Sequence, residues 1–392
     1  MRHFYVLLHR YVGLITALFL AMAGLTGSVL AFHHELDEWL NPSFYEAPGV
    51  GARQQPGALV DKLQAEHPRL QIWYMEYPNE SGHSALLAAV PRNDPSSGKP
   101  YEEKNTVFYL DPVSGQTLGQ RYWGDCCFSR ENFMPFMLEL HYSLTLPGNW
   151  GILLMGVVAI LWVVDCLIAV LLTLPRGRPF WRKWSTAWKI KGGHAYRLNM
   201  DIHRAGGLWL WLLLTPVAIS SVAMNLPAQV FKPTVSLFSP VAPSVYEARG
   251  TLPKEQLGQT LLSYQQAYLL AQQEGQRLGL TAPIGELYYS FEYNFYGAGF
   301  GQHDTDAQGK SWLFFHGSDG HLLGKEIAGQ GTLGERFYRL QLPIHGGRII
   351  GVAGQVLIAV LGIMIAVLSL TGVYIWWRKL QARRSGKARK LA

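Results

Sequence analysis

The chain has 392 residues, 49% of them hydrophobic and only 16% charged, with a formal net charge of +7. That length predicts more than one domain, and the composition excludes a disordered chain, a disulfide-rich scaffold and a simple soluble enzyme. The apolar residues gather in four runs, 11–32, 150–174, 205–231 and 349–377, each long enough to cross a bilayer.

In chain order the sequence divides into a first membrane helix (1–33), an outer domain (34–140), a second membrane helix (141–176) and a basic loop (177–202). A third helix (203–231), a second outer domain (232–344), a fourth helix (345–378) and a basic tail (379–392) follow. The run after Arg2 and Arg10 is too long for a signal-peptide core, so it reads as an uncleaved anchor. Residues 1–10, 175–204 and 378–392 together hold 17 basic residues and one acidic residue, whereas 33–149 and 232–348 hold 17 basic and 25 acidic. The positive-inside rule then predicts that both termini and the 175–204 loop are cytoplasmic and the two long segments periplasmic. The basic charge matches contact with the lipid bilayer, not with nucleic acid.

The two halves repeat one another. His9-Arg10-Tyr11-Val12-Gly13 enters the first apolar run and His203-Arg204-Ala205-Gly206-Gly207 the third, an HRxxG pattern at an offset of 194. Leu140-His141 precedes the second run and Ile344-His345 the fourth, and the turn around Gly115 corresponds to that around Gly320. Matches in the same order at nearly constant offset predict a tandem duplication. Each outer segment shows a helix (Gly57–Glu66; Thr260–Leu278), short strands (Gln71–Tyr77, Ala85–Val90; Glu286–Tyr293) and a closing hairpin entered by Val107–Leu110 or Trp312–Phe315. The predicted fold class is therefore an all-α four-helix membrane bundle with two α+β outer domains.

Four of the thirteen histidines mark the four helix ends: His9 and His203 on the cytoplasmic side, His141 and His345 on the outer side. Imidazoles facing each other from neighbouring membrane helices are an axial ligand set for b-type haem, which predicts two non-covalent haems. Gly13 and Gly207 lie one turn from their histidines and make room for a porphyrin; Arg10 and Arg204 sit where propionates would reach. His33 and His34 are rivals for the outer haem or groups on the substrate side. Asp165 is the single carboxylate within the four runs, and is a candidate proton carrier or a carboxyl hydrogen-bonded within the bundle. The adjacent Cys126 and Cys127 read as a structural pair, with a redox role as the alternative, and Cys166 as a small buried hydrophobe. The aromatic run from Tyr288 to Phe300 reads as sheet core, with Tyr293, Tyr296 and His303 as the candidates if it is a ligand platform. The sequence contains no GxGxxG after a strand, no P-loop and no CxxCH, so electrons would come from quinol or from an unidentified cytoplasmic reductase.

The segments HRYVGL, LTGSVLAFHHELDEWLNP, LHYSLTLPGNWG, DIHRAGG, LPIHGGRIIG and LSLTGVYIWWR resemble the PepSY-associated transmembrane family. More closely, the whole chain resembles the inner-membrane ferric-siderophore reductases of that family, of ferrioxamine type. That resemblance implies PepSY-like periplasmic domains, a place in the bacterial inner membrane and two b haems on His9, His203, His141 and His345. It also implies reduction of a ferric siderophore in the periplasm with release of Fe(II), so that no nucleophile or general base is sought. The rival expectations are a quinol-linked cytochrome b serving a soluble partner and a haem-free binding or regulatory protein. One departure from the family pattern is visible, since the third run reads TPVAISS where the first has LTG.

Overall fold

A computed structural model of the chain describes residues 1–251, 262–301 and 309–391. They form two compact units: Met1–Phe32 with Met137–Val235 and Ile344–Ala392, and His33–Phe136 with Ser236–Pro343.

The first unit is built on four long helices, here called spans one to four: Arg2–Leu30, Trp150–Thr173, Ala195–Asn225 and Val352–Leu391. All four are long and apolar enough to cross a membrane. In hydrocarbon a helix is favoured because it satisfies every backbone N–H and C=O within itself. Spans one and four touch through glycine: a Cβ on Gly24 would lie 2.5 Å from the Gly362 carbonyl oxygen, and the Ser28 hydroxyl donates to the Ala359 carbonyl at 2.7 Å. Without water between helices, such close backbone approach is the main source of attraction. Cys166, Leu214, Leu361 and Ile365 form the centre of the bundle.

The ends of the spans differ from expectation in a way that matters for the site. The third span stops at Asn225, ahead of Pro227, rather than running to 231. His141 and His345 lie not on spans two and four but on short preceding helices, Phe133–Ser143 and Gln341–His345. Leu144 and Thr145 at positive φ (58° and 53°) and Gly148 break the first; Gly347 (φ 75°) and Gly351 (φ 64°) break the second. A Cβ on Gly151 would strike the Ser143 carbonyl and one on Gly354 the Gly347 carbonyl, so each histidine helix folds back onto the start of its span.

The second unit is an eight-stranded antiparallel sheet of β1 (Leu70–Glu76), β2 (Ala85–Pro91), β3 (Val107–Leu110), β4 (Thr117–Arg121), β5 (Ile284–Ser290), β6 (Phe295–Phe300), β7 (Ser311–His316) and β8 (Leu322–Glu326). Its order is β4-β3-β2-β1-β5-β6-β7-β8. The outer segments, expected as two domains, thus join through β1 and β5, with Met75 opposite Leu287. A first strand left unpaired in each half would expose a row of backbone donors and acceptors; joining them leaves β4 and β8 as the edges among the described residues. Helices Pro56–Glu66 and Tyr264–Arg277 pack on the sheet in one shared core, where Leu59 and Leu63 meet Ala267 and Ala271. A capping box on Ser263 starts the second helix; Thr260, Leu261 and His303 lie outside the described residues. The aromatic run is core, as its pattern suggests: Tyr296 is 1% exposed, and its hydroxyl donates to the Leu262 carbonyl at 2.9 Å. Cys126 and Cys127 are joined by a disulfide, while Cys166 is free and buried.

Candidate functional site

The bundle encloses two cavities, one towards each end. The cavity at the end bearing the chain termini has a volume of about 390 Å³, and His9, Arg10, Gly13, His203, Arg204 and Gly207 all line it. The other, of about 250 Å³, is lined by His141 and His345. Both predicted pairs therefore meet. The ring centroids of His9 and His203 are 6.0 Å apart, and so are those of His141 and His345.

Each imidazole is held at Nδ1 by an oxygen from another helix. His9 Nδ1 lies 2.8 Å from Asp165 Oδ1. His203 Nδ1 lies 3.0 Å from the Leu368 carbonyl and 3.2 Å from Thr371 Oγ1. At the far end, His141 Nδ1 is 2.9 Å from Thr26 Oγ1, and His345 Nδ1 is 3.0 Å from Ser220 Oγ. The hydroxyls of Thr26, Ser220 and Thr371 also donate to carbonyls of their own helices, at 2.9, 2.9 and 2.8 Å. Their hydrogens are thereby engaged, so each hydroxyl accepts from the histidine. A carboxylate and a carbonyl accept in any case. All four rings then carry the hydrogen on Nδ1 and the lone pair on Nε2, the arrangement by which ligating histidines are oriented.

These residues fit a planar bis-imidazole cofactor. Metal–imidazole bonds of about 2 Å on either side of one ion put the ring centroids about 6 Å apart. A Cβ on Gly13 or Gly207 would meet nothing within 4 Å, so both glycines leave open space in the cavity wall. At Gly27 and Gly372 a Cβ would instead lie 3.1 Å from Cε1 of His141 and His203, so these glycines admit the rings themselves. Leu20 and Trp162 line both cavities.

The remaining candidates fall as follows. Arg10 reaches the cavity wall, whereas Arg204 also pairs with Asp201 at 2.7 Å and donates to the Ala187 carbonyl at 3.2 Å. His33 and His34 pack edge to face on the helix His33–Leu40, with centroids 4.9 Å apart; the partner of His141 is His345. Asp165, read as a proton carrier or a bundle hydrogen bond, stands against His9.

Sequence reasoning missed Thr26, Ser220 and Thr371. The signal was there: LTG occurs at 25–27 and again at 370–372, and Ser220 follows Thr26 at the offset of 194 that separates His9 from His203. The departure in the third span therefore keeps the hydroxyl that the site uses.

No curated protein matches the chain. Residues 6–379 match the PepSY-associated TM region, and the chain belongs to that membrane family.

Proposed function

We propose that this protein is an oxidoreductase of the bacterial inner membrane that holds two b-type haems and reduces ferric siderophores, of ferrioxamine type, at its periplasmic side. His9 and His203 hold one haem and His141 and His345 the other. The observation that carries this reading is the hydrogen-bonded orientation of all four imidazoles, each keeping Nε2 for an iron. Bis-imidazole haem supplies one-electron transfer without an open position for dioxygen.

The protein's own residues orient, space and insulate. Asp165, Thr26, Ser220 and Thr371 fix the rings, Gly13 and Gly207 leave room at the terminal-end cavity, and Arg10, which lines that cavity, would hold a propionate. Leu20 and Trp162 line both cavities, so the two sites share wall residues although the first span is 29 residues, about 44 Å of helix. The substrate's iron needs no protein ligand, because electrons alone suffice to loosen it: hard oxygen donors hold Fe(II) less tightly than Fe(III). Quinol or a cytoplasmic reductase would supply them.

The test is an absorbance spectrum of the purified protein, oxidised and then reduced with dithionite, with a pyridine haemochrome count. Two low-spin b haems per chain that reoxidise on adding ferrioxamine are expected. Colourless protein from haem-replete cells would overturn the redox reading and leave a binding protein. Haem that ferric siderophore does not oxidise above background would leave a cytochrome b serving a soluble partner.

A further inference from the structure

The hairpin between β7 and β8 carries a histidine pair that electron transfer through the bundle does not use. His316 ends β7 and His321 immediately precedes β8, so the two stand opposite one another, with the His316 N–H donating to the His321 carbonyl at 2.9 Å. Their rings stack, with centroids 4.9 Å apart and 23° between planes. From the tip of the turn Asp319 folds back, so that its Oδ1 lies 2.9 Å from His316 Nδ1 and 2.7 Å from His321 Nδ1. One ring nitrogen from each histidine and one carboxylate oxygen lie within 4.8 Å of one another.

The first half of the chain supplies an internal control. Its hairpin between β3 and β4 has the same backbone: Asp111 N–H donates to the Gln116 carbonyl at 2.9 Å, and Gly115 N–H to the Asp111 carbonyl at 2.7 Å. In the second hairpin Gly320 N–H donates to the His316 carbonyl at 2.9 Å, and the two glycines share a positive φ of 69° and 73°. Gln116 N–H donates to Ser114 Oγ at 3.2 Å, as His321 N–H does to Asp319 Oδ1 at 3.2 Å. Asp111, Ser114 and Gln116 thus occupy the positions of His316, Asp319 and His321. The turn forms in full without an imidazole, so its folding does not account for two histidines and an aspartate converging on one point.

We propose that His316, Asp319 and His321 bind a divalent transition-metal ion. Two imidazoles and one carboxylate on one side of an ion are a donor set for Cu(II), Zn(II) or Ni(II), with Cu(II) the tightest. The side chains of His321 and Asp319 are more than half exposed, which leaves the remaining positions to water and lets the ion exchange.

The test uses full-length, tag-free, haem-loaded protein in detergent, titrated with Cu(II) and followed by electron paramagnetic resonance. One Cu(II) per chain, with hyperfine structure from two imidazole nitrogens, is expected. His321→Gln brings in the residue that the first hairpin already carries at this position, so it keeps the turn while removing a ligand. It should weaken Cu(II) binding at least tenfold with an unchanged thermal midpoint and haem spectrum, and Asp319→Ser should act likewise. His67→Ala, elsewhere in the same unit, should bind as the wild type does. Wild-type protein that gains no two-nitrogen Cu(II) signal, or His321→Gln protein that binds as tightly as wild type, would overturn the proposal.

Discussion

At the scale of single residues, the four side chains that orient the cavity histidines are not equivalent. Thr26 and Ser220 correspond across the two halves, and both are hydroxyls. Asp165 and Thr371, which serve His9 and His203 at the terminal end, correspond less well: one is a carboxylate, the other a hydroxyl assisted by a backbone carbonyl. A carboxylate on Nδ1–H makes an imidazole a stronger donor and favours the more highly charged iron. Replacing a charge-assisted hydrogen bond by a neutral one removes about 1 kcal/mol, or ~40 mV for one electron. In the haem-loaded protein, Asp165→Asn is therefore expected to raise one of two midpoint potentials by about that amount and leave the other in place. Potentiometric titration followed by absorbance measures it; equal shifts in both potentials, or none, would contradict the role. Histidine, arginine and glycine could be read from the sequence here because the repeated HRxxG pattern marks them. The hydroxyls repeat as well, but serine and threonine inside an apolar helix ordinarily bond to their own backbone, which masks a second role.

At the scale of elements, the sheet is anchored by a buried polar cluster. Asp37, on the helix His33–Leu40, pairs with Arg121 of β4 at 2.6 Å, and the two side chains are 2% and 3% exposed. Tyr45 donates to Asp37 Oδ2 at 2.5 Å, and Arg121 also donates to Tyr109 and to the Glu131 carbonyl. Burial pushes the Tyr109 hydroxyl up to about 12, so it stays neutral within the cluster at ordinary pH. Removing one partner of a buried pair leaves a desolvated charge, which typically costs about 3–5 kcal/mol. Asp37→Asn should accordingly speed hydrogen exchange in β3 and β4 far more than Arg277→Ala, which removes only a surface pair with Glu274 remote from those strands. Equal protection in the two variants would show that the cluster is not a local anchor. β1 and β2 were legible to within a residue or two. β6 is buried at every position and carries no alternation to read, while β4 and β8 are short, polar edges.

At the scale of the whole molecule, charge sets orientation, because basic residues flanking a span resist translocation. A fluorescent protein fused after Ala392 is expected to fluoresce in the cytoplasm, and alkaline phosphatase inserted at the exposed Ser96–Gly98 turn to be active in the periplasm. The opposite pattern would invert the direction of electron flow proposed above. The sequence by itself determined the four helices long and apolar enough to cross a membrane and the placing of a histidine near an end of each, since these rest on composition, periodicity or spacing along the chain. Only the tertiary structure decided that the outer segments share one sheet, that His141 and His345 ride on separate helices folded back against their spans, and that Thr26, Ser220 and Thr371 set the rings. The shared sheet and the ring-setting hydroxyls depend on hydrogen bonding between segments more than a hundred residues apart, which leaves no periodic trace in either segment, and the fold-back at His141 turns on positive φ at Leu144 and Thr145, residue types that do not announce it.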